Sequence, residues 1–172
     1  MVAIREFGPD DAEDVRRLFS EGQSQFAAGF EEDFEAYTRE SLKADLSDIQ
    51  GHYMDRPGSC FWVATVNGKV VGMVGIQRRD SHTGELRRMG VDINRRRQGI
   101  ARMLLETAEE YCRQQGYSRL CLSTVTPLVP AIQMYQASGY TQTGQGKYGS
   151  VTVLHFSKEL VSDQCRSGVW RS

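Results

Sequence analysis

Apolar and polar residues follow two different periods along this chain, and together they predict strands and helices in alternation. The segment VAIREF, residues 2–7, is typical of a short strand. Pro9, Asp10 and Asp11 come next; because proline suits a first turn and carboxylates favour the positive end of a helix, a helix is predicted to begin there. Its apolar stripe consists of Val15, Leu18 and Phe19.

The segment EEDFEAYTRESLKADLSDI, residues 31–49, carries apolar residues at helical spacing among many charges. Its apolar positions are Phe34, Tyr37, Leu42 and Leu46. The spacing predicts an amphipathic helix with a break near Thr38. We expect the acidic face of this helix to be solvated surface.

Two runs rich in β-forming residues flank the dipeptide Asn67-Gly68. Asn-Gly readily adopts the two positive φ angles of a type I′ turn, which joins adjacent antiparallel strands. The pattern therefore predicts a hairpin with strands over residues 59–66 and 69–77. Residues 85–93, ELRRMGVDI, predict another strand, although Gly90 lies inside it. Glycine weakens a strand unless the chain bulges or another group approaches the backbone closely.

The stretch NRRRQGIARMLL, residues 94–105, joins that strand to a helix. Apolar residues recur at helical spacing beyond Ala101, and Gly116 is a natural stop. They are Leu104, Leu105, Ala108, Tyr111 and Cys112. At a helix start the unpaired backbone N–H groups and the helix dipole favour an anion, and the arginines at 95–97 add charge. The turn therefore predicts a pyrophosphate site.

Composition limits the functions that this chain can have. At 172 residues it can bury a core without disulfides, and we expect one domain over residues 1–160 with a poorly ordered tail over 161–172. The formal charge of −1 argues against general nucleic-acid binding, which needs a basic face across a domain. The arginines at 95–97 therefore indicate a local binding site, not a nucleic-acid-binding face.

The cysteines are scattered, with no paired spacing and no histidine cluster that would predict a zinc or other metal site. They are Cys60, Cys112, Cys121 and Cys165. Free thiols indicate a reducing compartment. No apolar run approaches the length of a membrane span, and the N-terminal segment turns acidic where a signal peptide would be apolar. We therefore expect a cytoplasmic protein with no membrane segment in this chain.

Neither a P-loop nor a dinucleotide fingerprint occurs in the pyrophosphate turn. Instead the pattern Arg96-x-x-Gly99-x-Ala101 resembles the acetyl-coenzyme A loop of the GCN5-related N-acetyltransferases. Downstream, GYSRLCLSTVTPLVPAIQMYQASGYTQTG is similar to that family's strand, helix and closing signature. The signature is carried here by Ala131, Tyr135, Gly139 and Tyr140. Upstream, DLSDIQGHYMDRPGSCFWVA resembles the camello-like branch, so that the resemblance covers roughly residues 45–158.

The resemblance implies an α/β fold with a mixed, mostly antiparallel sheet that is splayed at its centre, and with helices on both faces. It also implies direct transfer of the acetyl group of acetyl-coenzyme A to a primary amine of a small molecule, amino acid or peptide, without a metal. A longer acyl group stays open, as does a homodimer. A rival of another class is a non-catalytic acyl-coenzyme A sensor or interaction domain that kept the loop and lost the chemistry.

By resemblance, the loop binds the pyrophosphate of the cofactor and the strand before it pairs with the pantetheine arm. The implied cofactor-binding residues are Met89, Gly90, Val91, Arg96, Arg97, Gln98, Gly99, Ile100 and Ala101. The alternatives are a solvated charge run at 95–97 and a simple edge bulge at Gly90. The Val91 amide is expected to polarise the thioester carbonyl.

Two residues are implied in proton transfer. Glu85 resembles the family's general base, and Tyr135 resembles the acid that protonates the departing thiolate. The alternatives are a strand-end charge at Glu85, paired with Arg87 or Arg88, and a core aromatic at Tyr135. His82, in the adjacent loop, is a second candidate base.

This sequence departs from the family at two points. Leu128 stands where many members have an asparagine that holds the cofactor, and Pro130 follows it. The long apolar segment that typically precedes camello-like domains has only the polar stretch 31–49 as a counterpart. The acceptor substrate is expected against the parts least like the family, residues 22–53 and the loop 144–149.

Overall fold

In the computed structural model, which describes residues 1–161, the β-forming runs make one seven-stranded sheet. The strands are β1 Val2–Glu6, β2 Cys60–Val66, β3 Lys69–Arg78, β4 Thr83–Val91, β5 Arg119–Val125, β6 Thr141–Tyr148 and β7 Val151–Glu159. Their order across the sheet is β1-β2-β3-β4-β5-β7-β6. Every neighbouring pair is antiparallel except β4 with β5. The expected mixed, mostly antiparallel sheet is thus confirmed. Apart from Val161, the tail predicted over 161–172 lies outside the described residues, and so does Cys165.

Four α-helices connect these strands within residues 1–161: α1 Ala12–Ser24, α2 Glu31–Lys43, α3 Ile100–Gln114 and α4 Val129–Ala137. Short helical turns cover Pro9–Asp11, Asp45–Ser47, Gln50–Met54 and Ile93–Arg95. The break predicted near Thr38 is wrong. The Thr38 hydroxyl donates to the Phe34 carbonyl oxygen at 2.7 Å inside a continuous helix, and the chain turns only at Ala44.

Helices pack against both faces of the sheet, as the resemblance implied. On one face, α3 and α4 cover a core that includes Trp62, Leu104 and Phe156. On the other, α1 and the turns that follow α2 cover a second core around Phe61 and Tyr53. The predicted hairpin is also present: Asn67 and Gly68 have φ angles of +50° and +77° between β2 and β3.

The sheet opens at its centre. Strands β4 and β5 pair only at residues 83–85 with 119–121, whereas β5 pairs with β7 along its whole length. Strand β4 continues along β3 to Val91, so the two parallel strands diverge after Glu85. This divergence is the splay that the resemblance implied, and it separates two strand edges without a connecting ladder.

Strand β4 bulges at Arg88, not at Gly90. Gly75 pairs with Arg87 and Met73 with Gly90, so β4 carries one extra residue over this interval, and Arg88 has a φ angle of +57°. The edge bulge considered at Gly90 is therefore wrong in position. Gly90 packs closely against β3: a Cβ there would lie 3.0 Å from the Met73 Cε atom, so the methionine side chain would have to shift.

Candidate active site

A cavity of about 350 Å³ occupies the opening between β4 and β5. Side chains from both diverging strands, from α1, α2 and α4 and from the β6–β7 hairpin line it. Its polar lining residues include Glu85, Arg87, Arg88, Ser123, Tyr135 and Tyr148, together with Asp33 and Tyr37 of α2. The cavity thus brings together both residues that the sequence implied in proton transfer.

Glu85 lies at the end of the paired part of β4, opposite Cys121 of β5 and Gln77 of β3. It is half-buried and lines the cavity. The alternative of a strand-end ion pair is not observed within residues 1–161, because Arg87 donates to the Gln77 Oε1 atom at 3.1 Å and Arg88 binds elsewhere. The carboxylate is therefore free to meet a cationic substrate.

Tyr135 projects from α4 into the same cavity, and its side chain is only 4% exposed. Its ring packs edge-on against Tyr140 at 5.7 Å, so it also serves the core. No group within residues 1–161 bonds its hydroxyl, and burial raises the pKa of the phenol. Tyr135 therefore stays protonated at neutral pH and can donate a proton.

His82, the second candidate base, is placed away from this chemistry. It is exposed in the connection between β3 and β4, and it is not among the residues that line the cavity. Its backbone carbonyl accepts hydrogen bonds from the Ser118 and Arg119 amides. The structure thus gives His82 a role in joining loops.

Arg88 is a cavity residue that sequence reasoning missed. At the bulge its side chain, like that of Arg87, lines the cavity, and it is almost fully buried. It donates from Nε and Nη2 to the two Asp45 carboxylate oxygens at 3.0 and 2.5 Å, and from Nη1 to the Tyr37 hydroxyl and Ser41 Oγ at 2.9 and 3.0 Å. One arginine thus fixes the strained point of β4 to α2 and the turn after it.

The Asp45 carboxylate is also buried, and Tyr53 donates its hydroxyl to it. Burial alone would raise the pKa of Asp45, but the hydrogen bonds and positive charge of Arg88 outweigh it and lower the pKa below its usual value. The sequence signal that could have indicated this site is the pair Arg87-Arg88: because side chains alternate in a strand, two adjacent arginines predict that one of them faces the protein interior. The expectation that the acidic face around residues 31–49 is only solvated surface is therefore wrong for Asp45.

The predicted pyrophosphate loop has the features of an anion site. Helix α3 begins at Ile100 with Gly99 as its N-cap at a φ angle of +78°, no side chain caps it, and its first turn carries no acidic residue. Arg97 and Gln98 are exposed, and a Cβ on Gly99 would meet nothing within 4 Å. The backbone N–H groups at this helix start are thus accessible to a phosphate. Ile100, in contrast, is buried and anchors the helix in the core.

Arg96 contacts the connection between α1 and α2. Its guanidinium carbon lies 4.9 Å from the centre of the Phe26 ring, and Nη2 donates to Gln25 Oε1 at 2.5 Å. The loop and the substrate-side helices therefore meet at this side chain. Ala101 follows at the start of α3, where it is half-buried.

The strand before the loop has an open edge. Because β5 stops pairing at Glu85, the β5-facing backbone groups around Met89 and Val91 have no strand partner in the described residues. Leu128, which replaces the family's asparagine, lies at the N-cap of α4 and lines the cavity with an apolar side chain. The edge of β4 thus offers backbone hydrogen-bonding groups opposite an apolar wall.

The two segments expected to bind the acceptor come together over the cavity. Asp33 accepts from the Ser150 amide at 3.0 Å and from its hydroxyl at 2.5 Å, and Glu40 accepts from the Tyr148 hydroxyl at 2.6 Å. The rings of Tyr37 and Tyr148 pack edge-on at 5.6 Å. We call these contacts between α2 (Asp33, Tyr37 and Glu40) and the β6–β7 hairpin (Tyr148 and Ser150) the strap. Residues 144–149 are not a loop as predicted: all but Gly149 belong to β6.

The described part of the chain adds three observations about metals, thiols and membranes. Within residues 1–161 no three histidine, cysteine or acidic side chains gather in a group that could hold a metal ion. Cys60, Cys112 and Cys121 are buried, and burial raises the pKa of each thiol, to about 12 for Cys60 and Cys112. No helix in the same part of the chain is long and apolar enough to cross a membrane.

Comparison with curated proteins extends the resemblance beyond single motifs. Human N-acetyltransferase 8 is 43% identical over 142 residues, which are 76% of this chain and 63% of that protein. N-acetylaspartate synthetase of Xenopus tropicalis is 41% identical over 105 residues, 60% of this chain and 39% of that protein. The chain thus spans less than two thirds of the length of these relatives, and the expected likeness to the camello-like branch is confirmed.

Solved structures show the same fold. The PaiA N-acetyltransferase of Thermoplasma acidophilum, solved in complex with coenzyme A, superposes with a TM-score of 0.77 at 20% identity, over 92% of this chain and 99% of that one. The model of the acetyltransferase (GNAT) family matches residues 24–140, which include α2, the splayed strands, the anion loop and α4. The chain therefore belongs to the acetyltransferase (GNAT) family.

Proposed function

We propose that this chain, with residues 1–160 as its catalytic domain, transfers the acetyl group of acetyl-coenzyme A directly to a primary amine of a small molecule, amino acid or peptide. The observation that carries the proposal is the cavity at the splay. It holds a half-buried carboxylate without an ion-pair partner in residues 1–161, Glu85, and a buried protonated phenol, Tyr135. The same strand that carries Glu85, β4, leads to a helix start that is open to an anion.

The residues present fit coenzyme A. The amides at the start of α3 and the side chains of Arg96 and Arg97 would hold the pyrophosphate. The open edge of β4 at residues 89–91 would bind the pantetheine arm, with the Val91 amide polarising the thioester carbonyl. When bound, acetyl-coenzyme A supplies an activated acetyl group, and the protein needs no covalent intermediate.

The two cavity residues then move protons. An ammonium group is not a nucleophile, so Glu85 accepts a proton from the acceptor, directly or through water. Tyr135 donates its proton to the departing thiolate. The protein also holds the amine and the carbonyl in line, which lowers the entropic cost of bringing two molecules together.

Arg87 supports an amino acid as the first acceptor to test. It lines the cavity two residues beyond Glu85 on the same face, and within residues 1–161 it donates only to Gln77. Its remaining guanidinium N–H groups suit a carboxylate, since the planar fork matches that group. One relative is an N-acetylaspartate synthetase by name, which agrees with an acceptor that carries both an amine and carboxylates.

Thioester consumption by the purified chain tests this proposal. Acetyl-coenzyme A is offered with amino acids including aspartate, with the matching amines that lack the α-carboxylate, and with polyamines and peptides, and products are identified by mass spectrometry. We expect an N-acetylated product, with the amino acid preferred over its decarboxylated partner. A parallel series with longer acyl-coenzyme A thioesters defines the acyl group.

A second candidate is a non-catalytic acyl-coenzyme A sensor. The apolar Leu128, in place of a polar side chain that holds the cofactor, favours it. The same experiment separates the two candidates. Tight cofactor binding without turnover on any amine supports the sensor, whereas N-acetylation of one amine excludes it.

A further inference from the structure

The side of the cavity formed by β5 carries polar side chains that have no role in the acetyl transfer proposed above. Ser123 lies two residues after Cys121, which faces Glu85 across the last paired position of β4 and β5. Strand alternation therefore places the side chains of Glu85, Cys121 and Ser123 on one face of the sheet. Because β4 has diverged at this point, Ser123 lines the cavity.

His155 of β7 is the cross-strand neighbour of Ser123. The Ser123 Oγ atom and the His155 Nδ1 atom lie 2.7 Å apart, a normal distance for a hydrogen bond. On the other side of the ring, β6 presents Gly144 and Gly146, where a Cβ would lie 3.8 Å from Cδ2 and 3.7 Å from Nε2. His155 is exposed, and nothing in residues 1–161 bonds Nε2. Ser123 is exposed as well, so a hydroxyl on the solvent-accessible rim of the cavity is joined to a ring nitrogen in solvent.

Amide formation releases protons that such a path can carry. The nitrogen of an ammonium acceptor loses two protons before it becomes an amide. Glu85 is suited to take the first, which leaves a neutral amine with a free electron pair. The second must leave as the new C–N bond forms. Among residues 1–161 the cavity lining contains no histidine to receive it, and its other carboxylate, Asp33, already accepts two hydrogen bonds from Ser150.

We propose that Ser123 and His155 form a proton relay that removes this second proton, a role that rests on the acetyl transfer proposed above. As the C–N bond forms, an N–H bond of the acceptor breaks and its proton passes to Ser123 Oγ. The hydroxyl proton of Ser123 passes to His155 Nδ1 at the same time. The imidazolium then releases a proton to solvent, and no electrons are gained or lost.

The relay requires one protonation state of His155. Nδ1 accepts from the serine hydroxyl only if the neutral ring carries its proton on Nε2. On the same face, the charged or titratable neighbours are Cys121, bound by Arg79 Nη1 at 3.2 Å, and Glu85 and Arg87 on β4. The residues of β6 beside the ring are Gly144 and Gly146, which carry no titratable side chain. No carboxylate in residues 1–161 bonds the ring, so Ser123 is its one polar side-chain partner there.

Steady-state kinetics of the full chain test the relay. Ser123→Ala and His155→Gln should each lower kcat by about 10²-fold, the lower end of the effect of a positioned acid or base. The double variant should fall no further, because the two side chains act in series. Both variants should also lose the same inflection from the pH profile of kcat. Unchanged kcat in either variant, or two effects that multiply, would overturn the relay.

A neighbouring hydrogen bond provides the control. Lys147 Nζ donates to Thr152 Oγ1 at 2.9 Å between β6 and β7, so this bond shares strand β7 with the Ser123–His155 bond, and Thr152 does not line the cavity. Thr152→Ala removes an exposed cross-strand bond of the same kind, and it should leave kcat and its pH profile as in the parent. An equal loss of kcat in Thr152→Ala would mean that hairpin stability, not proton transfer, explains the Ser123 result.

A measurement without turnover separates the relay from the proposed function. Nitrogen NMR of the histidine rings identifies the tautomer, and His155→Gln assigns the signal among the three histidines of the chain. We expect the Nε2–H tautomer in the neutral ring. The Nδ1–H tautomer would overturn the relay even in an active enzyme. The expected tautomer in a chain that acetylates no amine would instead overturn the proposed acetyl transfer.

Discussion

At the scale of single residues, the Arg88–Asp45 pair holds the strained bulge of β4 in place. Both side chains are almost fully buried, 3% and 6% exposed, and four hydrogen bonds satisfy the guanidinium group. A buried pair of this kind is costly to break, because the remaining charge has no partner. The pair therefore links the stability of the fold to the shape of the cavity.

Asp45→Asn should lower the free energy of unfolding by about 3–5 kcal/mol, since it leaves the Arg88 charge buried and uncompensated. Urea unfolding measures the change. Asp14→Asn is the matched control, because Asp14 binds Arg17 at 2.8 Å in an exposed pair that should contribute about 1 kcal/mol or less. Equal decreases in the free energy of unfolding would show that the buried pair stabilises the fold no more than the exposed pair does.

The lowered pKa of Asp45 also gives the pair a pH dependence. A carboxyl group whose pKa is lower in the folded state stabilises the protein above its unfolded pKa, which is about 3.9 for aspartate. That stability is lost as the pH falls through the folded pKa. The parent should therefore lose stability on acidification below about pH 4 more steeply than Asp45→Asn does. Parallel acid titrations of the two proteins would contradict this.

Tyr135→Phe keeps the ring and its packing against Tyr140 and removes only the hydroxyl. If Tyr135 protonates the leaving thiolate, turnover should fall by about 10²–10⁴-fold. Affinity for coenzyme A should be nearly unchanged, as isothermal calorimetry can check. A variant that turns over like the parent would make the hydroxyl structural, with water as the proton donor.

Glu85→Gln removes a proton acceptor from β4 without changing its size. The rise of the acetylation rate with pH should flatten, because the ammonium acceptor then loses its first proton only to solvent. Coenzyme A binding should persist. A parent-like pH profile would show that the amine arrives neutral and that the protein contributes mainly proximity and carbonyl polarisation.

At the scale of elements, the strap between α2 and the β6–β7 hairpin closes the acceptor side of the cavity. Its hydrogen bonds are exposed, so each is weak and opens easily. The bond from Tyr148 to Glu40 raises the pKa of Tyr148 to about 12, and the hydroxyl of Ser150 holds the pKa of Asp33 below its usual range. We infer that the strap shapes the acceptor site and contributes little to the stability of the fold.

Gly149→Ala should open the strap, because a Cβ at Gly149 would overlap the Asp33 carboxylate. KM for the acceptor should rise roughly 5- to 30-fold, equivalent to one or two kcal/mol, while affinity for coenzyme A stays the same. Gly116→Ala is the matched control: Gly116 also has a positive φ angle, +82°, but a Cβ there meets nothing within 4 Å. A parent-like KM in Gly149→Ala would remove the strap from the acceptor site.

Sequence signals predicted the hairpin at Asn67-Gly68, a helix that follows the turn at residues 95–101, and the splayed sheet. Each depends on residues close together in the chain or on a family motif. The bulge at Arg88 and its pairing with Asp45 join positions 43 residues apart, so no local pattern specifies them. The break predicted near Thr38 failed for a similar reason, because tertiary packing, including buried Phe34, outweighs the local preference.

At the scale of the whole molecule, divergence of β4 and β5 gives one cavity access to elements on both faces of the sheet. Helix α3 presents the anion loop beside β4, and α2 with the β6–β7 hairpin presents the acceptor side. Arg96 connects these regions through its contacts with Gln25 and Phe26. This arrangement suits a reaction in which two substrates meet in a single complex without a covalent intermediate.

Calorimetric titration of Gly99→Asp with acetyl-coenzyme A tests the central claim most directly. The new carboxylate would occupy the helix start where the pyrophosphate belongs, so the folded variant should show no binding heat. Gly68→Asp is the matched control, since Gly68 has a nearly equal φ angle of +77° and open space, but lies in the β2–β3 turn. It should bind like the parent, and parent-like binding by Gly99→Asp would contradict the account.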